Sequence, residues 1–534
     1  MTGRHANVAG GVDDVAMTSP RRPTWHPAIA GAVATLAALG LSELVAGVLT
    51  APSLVAAVGG VVIDLQPAGA KDFVVALFGQ NDKLALELFI VAVSVVVGAA
   101  LGVVARRSFT VGAGGFALFA AVGFVAALSD PSSAAAPGAI VAGVAAIAGV
   151  QALSWLLGPS PRADEAVNDP PPGATMPDWS RRGFLLRSSS VAAGAVVAGL
   201  AGRTLLEGSR SIPASADAAI PPAGEIASLP AGSSLPIEGL TPVVVPNNDF
   251  YRIDTALLTP NVDLPSWSLR IHGLVDRETR LTYAELLEMP LIEQYVTIAC
   301  VSNEVGGNLV GNAKWTGVRL RDVLEIAGIQ ASASQLVGRS VDGWTAGMPT
   351  SWVMDPSREP MIAVKMNDEV LPRSHGYPAR LIVPGLFGYV SATKWLSELE
   401  LTTWESFDGY WVPLGWAKEG PILTQARIDV PRNNGSVPAG RVVIAGVAWA
   451  PDRGVSKVEV AIDGAWRDCT LATPISEATW VQWTYAWDAA AAGPGDHRIE
   501  VRATDGRGEL QAANITPPAP DGARGYHGIT VRIG

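Results

Sequence analysis

Cysteine is almost absent from this chain: two residues in 534. Cys300 and Cys469 lie in different regions, so no disulfide framework holds the fold. Histidine is also sparse. Six are scattered, no C-x-x-C-H motif occurs, and His26 at the edge of an apolar run is the nearest to any span, which argues against covalent haem and against a bis-histidine haem in a membrane. Charged residues make up 16% and the formal net charge is -11, a poor match to nucleic acid. The mean hydropathy of +0.29 is high for a soluble protein, and the excess lies in the first 210 residues.

Four stretches there approach the roughly 20 apolar residues that a bilayer requires: Pro27 to Thr50, Leu84 to Ala105, Val111 to Ser129 and Pro137 to Leu157. A fifth, Ser188 to Leu206, is weaker and rich in Ala and Gly, while Leu54 to Leu65 is short, broken by Gly59-Gly60, and expected to be a loop. Basic clusters at Arg21-Arg22, at Arg106-Arg107 and at Arg162, Arg181, Arg182 and Arg187 all fall on one side by odd-even counting. The positive-inside rule makes that side cytoplasmic and puts everything after the fifth span outside. The connections on the other face carry only Lys71 and Lys83 as cations. Trp179-Ser-Arg-Arg-Gly-Phe-Leu-Leu186 resembles a twin-arginine export signal, which carries folded, cofactor-loaded proteins; an ordinary positive flank is the other reading. Ala214-Ser215-Ala216 has the small residues of a cleavage site, although an uncleaved anchor is expected. Glu43 and Glu87 lie within or at the edge of spans, where carboxylates are costly and often functional. The expected organisation is a four-helix transmembrane region over 1–160, the twin-arginine-like segment and fifth helix over 161–210, and an Ala/Pro/Ser-rich linker over 211–236. An α+β domain over 237–420 and a β-sandwich over 421–534 complete it.

The second half reads as strands, turns and short helices. Trp267 to Gly273 alternates as a strand, and Thr282 with Glu285 forms a capping box. Arg319 to Gly328 is a short helix closed by Gly, and Arg380 to Pro384 a buried strand. From about Pro421, strands at 426–429, 441–449, 455–463, 480–487 and 497–505 alternate with turns such as Asp463-Gly464, the pattern of an immunoglobulin-like sandwich. Cys469 sits in a strand-like segment as a packed or edge thiol. Cys300 ends the β-rich run Gln294 to Ile298 and precedes a Gly/Asn-rich loop. Two readings stand side by side: a soft ligand delivered into a cleft, or a small buried hydrophobe.

Several separated motifs occur in an order that resembles the sulfite oxidase superfamily of molybdopterin enzymes, over essentially all of 236–534. They are Asn247-Asn-Asp-Phe-Tyr-Arg252, Ala299-Cys300-Val-Ser-Asn303, Ala313-Lys-Trp-Thr-Gly-Val318, His375-Gly-Tyr-Pro-Ala-Arg-Leu-Ile-Val-Pro-Gly385 and Ala392-Thr-Lys-Trp-Leu396. The resemblance implies a molybdenum–molybdopterin cofactor with Cys300 as its protein ligand, since a thiolate suits a soft centre. It implies Arg380 and Lys394 on the pterin phosphate. It implies His375, Asn248, Tyr251 and Arg252 on the ring system, and Ala392 and Thr393 in the closing cofactor loop. Asp342 falls near a position where relatives place an acid. Arg252 and Tyr410 are implied on the substrate side, with packing between domains as the other reading of Tyr410.

Members of this family move an oxygen atom between substrate and a molybdenum-oxo centre. Sulfite oxidases carry an arginine five residues after the ligand cysteine; Val305, preceded by Glu304, stands there in this chain. Sulfite is thereby placed in doubt, and a sulfoxide or methionine-sulfoxide reductase on the same scaffold is the first alternative. A cofactor-free surface binding protein is the second. With no haem module legible, electrons pass to a separate cytochrome or to quinone, and the sandwich, which often mediates dimerisation in this family, suggests a homodimer.

Overall fold

The computed structural model describes residues 25–67, 82–129, 135–158, 179–208, 212 and 220–534. Arg21, Arg22, Lys71, Arg162 and the Ala214–Ala216 triplet lie outside the described residues, as does the side chain of Arg181. The chain divides into two compact bodies. One comprises residues 1–55, 88–124 and 136–205, and the other 56–87, 125–135 and 206–534.

The first body is helical. Trp25–Leu49, Lys83–Ala105, Phe109–Leu128, Ala135–Leu157 and Arg182–Gly208 are long and apolar enough to cross a membrane, at mean hydropathies of 1.6 to 2.8. Glycine sets their closest approach, as is usual where lipid supplies no hydrophobic drive between helices. A Cβ at Gly31 would lie 2.0 Å from the Gly98 carbonyl oxygen, and one at Gly202 would lie 2.2 Å from that of Glu43. Glu43 accepts a hydrogen bond from Ser53, so this carboxylate has a partner. The short apolar run expected as a loop is a helix, Leu54–Asp64.

The α+β domain holds two five-stranded sheets. Its strands are β1 (Ser268–Gly273), β2 (Thr279–Thr282), β3 (Leu291–Ala299), β4 (Val310–Arg319), β5 (Gln335–Ser340) and β6 (Thr345–Pro349). β7 (Met361–Met366), β8 (Glu369–Val370), β9 (Arg380–Ile382) and β10 (Leu396–Thr402) follow. One sheet runs β2-β1-β10-β5-β6 and the other β3-β4-β7-β8, with β9 paired to β7. The Thr282 capping box is present, and Gly328 closes the helix Leu320–Ala327 at φ +71. The segment 220–236, expected as a linker, instead pairs Glu225 with Ile292 as a parallel bridge, and its Leu235 amide donates to Gln482. Ile220 is buried in the domain core, and that apolar anchor separates the segment from a free tether.

The sandwich follows. Its strands are β11 (Gln425–Val430), β12 (Gly435–Val437), β13 (Arg441–Trp449), β14 (Val455–Ile462), β15 (Ala465–Asp468), β16 (Thr470–Leu471), β17 (Val481–Asp488), β18 (Gly495–Asp505) and β19 (His527–Ile533). One sheet runs β11-β13-β17-β16 and the other β12-β19-β18-β14-β15. Trp483 and Trp487 fill the space between them. Trp449 and Trp480 belong instead to the α+β core, so the two domains share apolar packing. Cys469 is half-buried, and burial raises its pKa to about 12, with Asp468 and Glu459 acting in the same direction.

Candidate functional site

β3 is paired along its whole length with β4, and at its end the chain turns at Cys300. The turn is closed by backbone and amide bonds. The Cys300 amide donates to the Leu309 carbonyl at 2.9 Å, and the Leu309 amide donates to Asn303 Oδ1 at 2.8 Å. The thiol is partly exposed and lies 2.9 Å from the Ser302 hydroxyl. It is therefore held at a loop rim rather than sealed in apolar packing. Arg427 of the sandwich braces the same loop, donating to the Gly307 carbonyl at 2.7 Å.

Arg380 begins β9 and is 3% exposed. Its guanidinium donates to the His375 carbonyl at 3.0 Å and stands 5.1 Å over the Trp315 ring. Among the described residues no carboxylate pairs with it. Burial lowers its pKa to about 10, with the nearby Tyr251 opposing. Lys394 is buried beside it, donating to Asp254 and to the Ser374 carbonyl, each at 3.0 Å. Burial again dominates, aided by Arg380 and Arg252 and opposed by Asp254, and lowers the Lys394 pKa to about 8. Asp254 is the anion of this cluster. Burial alone would raise its pKa, but Lys394, Lys83 and Arg252 hold it far below the usual carboxylate range.

His375 packs edge-on to Phe250, 5.7 Å between centroids, and its Nε2 is 3.0 Å from the Asn247 carbonyl. Burial, then Lys394 and Arg380, lower its pKa to about 4, so the ring is neutral at pH 7. A carbonyl can only accept, so Nε2 carries the proton and Nδ1 keeps a lone pair. Tyr251 stacks on Phe250. Its pKa is raised by burial and then by charge on Cys300, with Arg380 opposing, which puts the phenol, the thiol and the guanidinium in one neighbourhood. Arg252 is exposed and pairs with Asp254 at 3.1 Å.

The remaining expected residues are placed as follows. Asn248 is exposed on the turn before Phe250, whereas Asn247 makes the contacts there, donating to the Met366 carbonyl at 3.1 Å. Ala392 is buried, and its carbonyl faces Arg380 at 3.5 Å. Thr393 is buried against the Gly338 carbonyl at 3.4 Å. Asp342 accepts from the Trp344 amide at 3.2 Å in the β5–β6 turn. Tyr410 donates to Asp64 at 2.9 Å; burial and then this bond raise its pKa, with the charges of Asp64 and Asp342 adding to the rise. Sequence reasoning missed Asp254, Ser302 and Asp64. Asp254 lies two residues after Arg252, a local signal, but Asp64 lies 346 residues from Tyr410 and carries none.

The arrangement is an anion receptor beside a thiol. A fully buried guanidinium without a carboxylate calls for a negatively charged ligand. A molybdenum–pterin group with its phosphate fits these residues, and the Cys300 thiol is of the kind that would suit a soft metal. The sequence model of the oxidoreductase molybdopterin binding domain matches residues 256–411, and that of a bacterial Ig domain matches 425–501. Mitochondrial sulfite oxidase of Rattus norvegicus is 29% identical over 286 residues, covering 45% of this chain and 52% of the relative. That of Homo sapiens is 28% identical over 336 residues, covering 54% and 61%. NADH nitrate reductase 1 of Oryza sativa is 29% identical over 272 residues, covering 40% and 30%. Among solved structures, the sulfane dehydrogenase SoxCD of Paracoccus pantotrophus aligns at a TM-score of 0.47 and 22% identity, over 60% of this chain and 90% of that one. Fold and site thus define a molybdopterin-binding oxidoreductase domain joined to an immunoglobulin-like one. The chain carries an oxidoreductase molybdopterin binding domain and is similar to sulfite oxidases. It spans 52% to 61% of the length of these two sulfite oxidases.

Proposed function

We propose that this chain is a membrane-anchored molybdenum-cofactor oxidoreductase that exchanges an oxygen atom with a small sulfur-containing substrate outside the cytoplasm, passing electrons to a separate carrier. The observation that carries the reading is the buried Arg380, which no carboxylate among the described residues pairs, together with the Asp254-bound Lys394 and the rim thiol Cys300. When bound, the cofactor supplies two-electron oxygen-atom chemistry. The chain's own residues do the rest. Arg380 and Lys394 hold the phosphate. The neutral His375 offers Nδ1 as an acceptor, and Asn248 and Tyr251 line the ring side. Cys300 is the ligand, with Ser302 hydrogen-bonded to its sulfur. Arg252 and Tyr410 face the substrate, and Asp342 adds negative charge near Tyr410.

Substitution at the loop rim favours an uncharged substrate such as a sulfoxide over sulfite. Glu304 and Val305 offer a dianion repulsion and an apolar surface where an arginine would attract it. The extracytoplasmic placement is supported by Arg106-Arg107, between the second and third long helices, and by Asp64, between the first and second, which bonds Tyr410. The twin-arginine reading of 179–186 agrees with export of a loaded domain.

Elemental analysis and pterin fluorescence on full-length protein from cofactor-making cells test the proposal. Wild type is expected to carry molybdenum, and Cys300→Ser to show a changed metal spectrum with lost turnover. Molybdenum-free wild type would sink the enzymatic reading and favour a binding protein. Side-by-side assays with dimethyl sulfoxide under reduced viologen and with sulfite under ferricyanide decide the direction.

A further inference from the structure

The candidate site receives two charged side chains from a part of the chain far from its motifs. Tyr410 Oη donates to Asp64 Oδ1 at 2.9 Å, and Asp64 ends the helix Leu54–Asp64. Lys83 pairs with Asp254 and also donates to the Ala256 carbonyl at 2.7 Å. Asp64 lies between the first two long apolar helices and Lys83 opens the second, both within the same compact body as residues 206–534. They reach different targets: a phenol on the substrate side and the carboxylate that neutralises the cofactor cations.

Each contact has a chemical consequence. A phenol has one proton. Given to Asp64, it leaves only lone pairs for whatever binds on the other side, so Tyr410 acts there as an acceptor. The negative charges of Asp64 and Asp342 further oppose an anion at that position. Asp254, with its side chain 6% exposed, is shared among Lys394, Arg252 and Lys83. Lys83 meets Oδ1 while Lys394 and Arg252 meet Oδ2, so one carboxylate charge is set against three cations. Lys83 thus offsets part of the Asp254 charge and leaves Lys394 freer to face an anionic ligand.

We infer that Asp64 and Lys83 are positioning residues of the active site, Asp64 orienting Tyr410 towards uncharged substrates and Lys83 releasing Lys394 to the cofactor phosphate. This rests on the function proposed above and deepens it, because it makes Asp64 and Lys83 part of the catalytic apparatus rather than of a plain anchor.

The test uses full-length protein in detergent. Asp64→Asn, Tyr410→Phe and the double variant are compared by kcat and KM for dimethyl sulfoxide with reduced viologen, and by the Mo(V) electron paramagnetic resonance signal. A hydrogen bond to a charged partner supports an expected loss on the order of tenfold in kcat/KM for each single variant. The double variant should lose no more than Tyr410→Phe alone, since Asp64 acts through that phenol. Asp64→Asn should keep its molybdenum content and show a shifted Mo(V) signal. Lys83→Met should lower molybdenum and pterin content, and Lys83→Arg should restore them. Additive losses, or an Asp64→Asn protein identical to wild type in spectrum and kinetics, would overturn the role of Asp64. Unchanged cofactor content in Lys83→Met would overturn that of Lys83. Both are distinct from failure of the underlying reading, which would show as wild type without molybdenum.

Discussion

Arg380→Met is the perturbation that best separates a cofactor-binding residue from a structural one, because the two states of the protein should respond to very different degrees. In the cofactor-free fold the guanidinium is buried without a carboxylate, and its pKa falls from 12.5 to about 10. That drop corresponds to about 3 kcal/mol of burial penalty on the charged form. The penalty is present at every pH below about 10 and is relieved only as the pH rises towards 12.5. Methionine removes it and keeps apolar contact with Trp315. Against this stands the loss of the donor to the His375 carbonyl at 3.0 Å, about 1–3 kcal/mol for a buried acceptor left unsatisfied. The two nearly cancel, so denaturant unfolding of cofactor-free protein, followed by Trp fluorescence, should shift by less than about 2 kcal/mol. In cofactor-making cells the same variant loses a charge-assisted contact to phosphate. Retention of pterin and molybdenum should fall by more than tenfold. A cofactor-free variant destabilised by more than about 4 kcal/mol would show that Arg380 is structural and refute the reasoning. So would a variant that retains full cofactor.

Other expectations follow from the same geometry. Ser302→Ala should keep molybdenum bound but alter the Mo(V) signal, because the contact to Cys300 Sγ at 2.9 Å is lost; an unchanged spectrum would count against a tuning role. Stability should decline on acidification from pH 6.5 to about 4. His375 and His527 have pKa values lowered to about 4, chiefly by burial, so the unfolded chain binds more protons in that window. Denaturant midpoints across that range measure it, at up to about 3 kcal/mol per group. Conversely, Lys394 should bind anions more weakly above pH 8, where it loses its proton, while the cofactor-free fold gains stability up to pH 10.5 as the unfolded chain keeps that proton. Phosphate titration of cofactor-free protein against pH reads the first effect. Val305→Arg should raise kcat/KM for sulfite, and no change would place that residue outside the substrate path.

Local chemistry was enough for most elements of the fold. Apolar length identified the five long helices, Thr282 with Glu285 the cap, and alternation the sandwich strands. Cys300, His375, Arg380 and Lys394 were singled out because several short motifs occur in an order that resembles a family, and they lie just after β3, in the turn before β9, at the start of β9 and in the loop before β10. The helix at 54–64 was not legible, because a window of eleven mostly apolar residues with two glycines looks alike in a loop and in a helix. Whether residues 220–236 tether or pack depended on a bridge to Ile292 that no local rule predicts.

What the amino-acid order determines on its own is the inventory: one thiol at a strand end, cations in separated motifs, and apolar runs of bilayer length, each a property of near neighbours. Only the tertiary fold decided charge balance. Among the described residues it left Arg380 without a carboxylate and gave Asp254 three cations, two of them from distant segments. It also turned the proton of Tyr410 towards Asp64. Coulomb and hydrogen-bond energies depend on separations of a few ångströms, and chain distance says nothing about those until the sheets have closed.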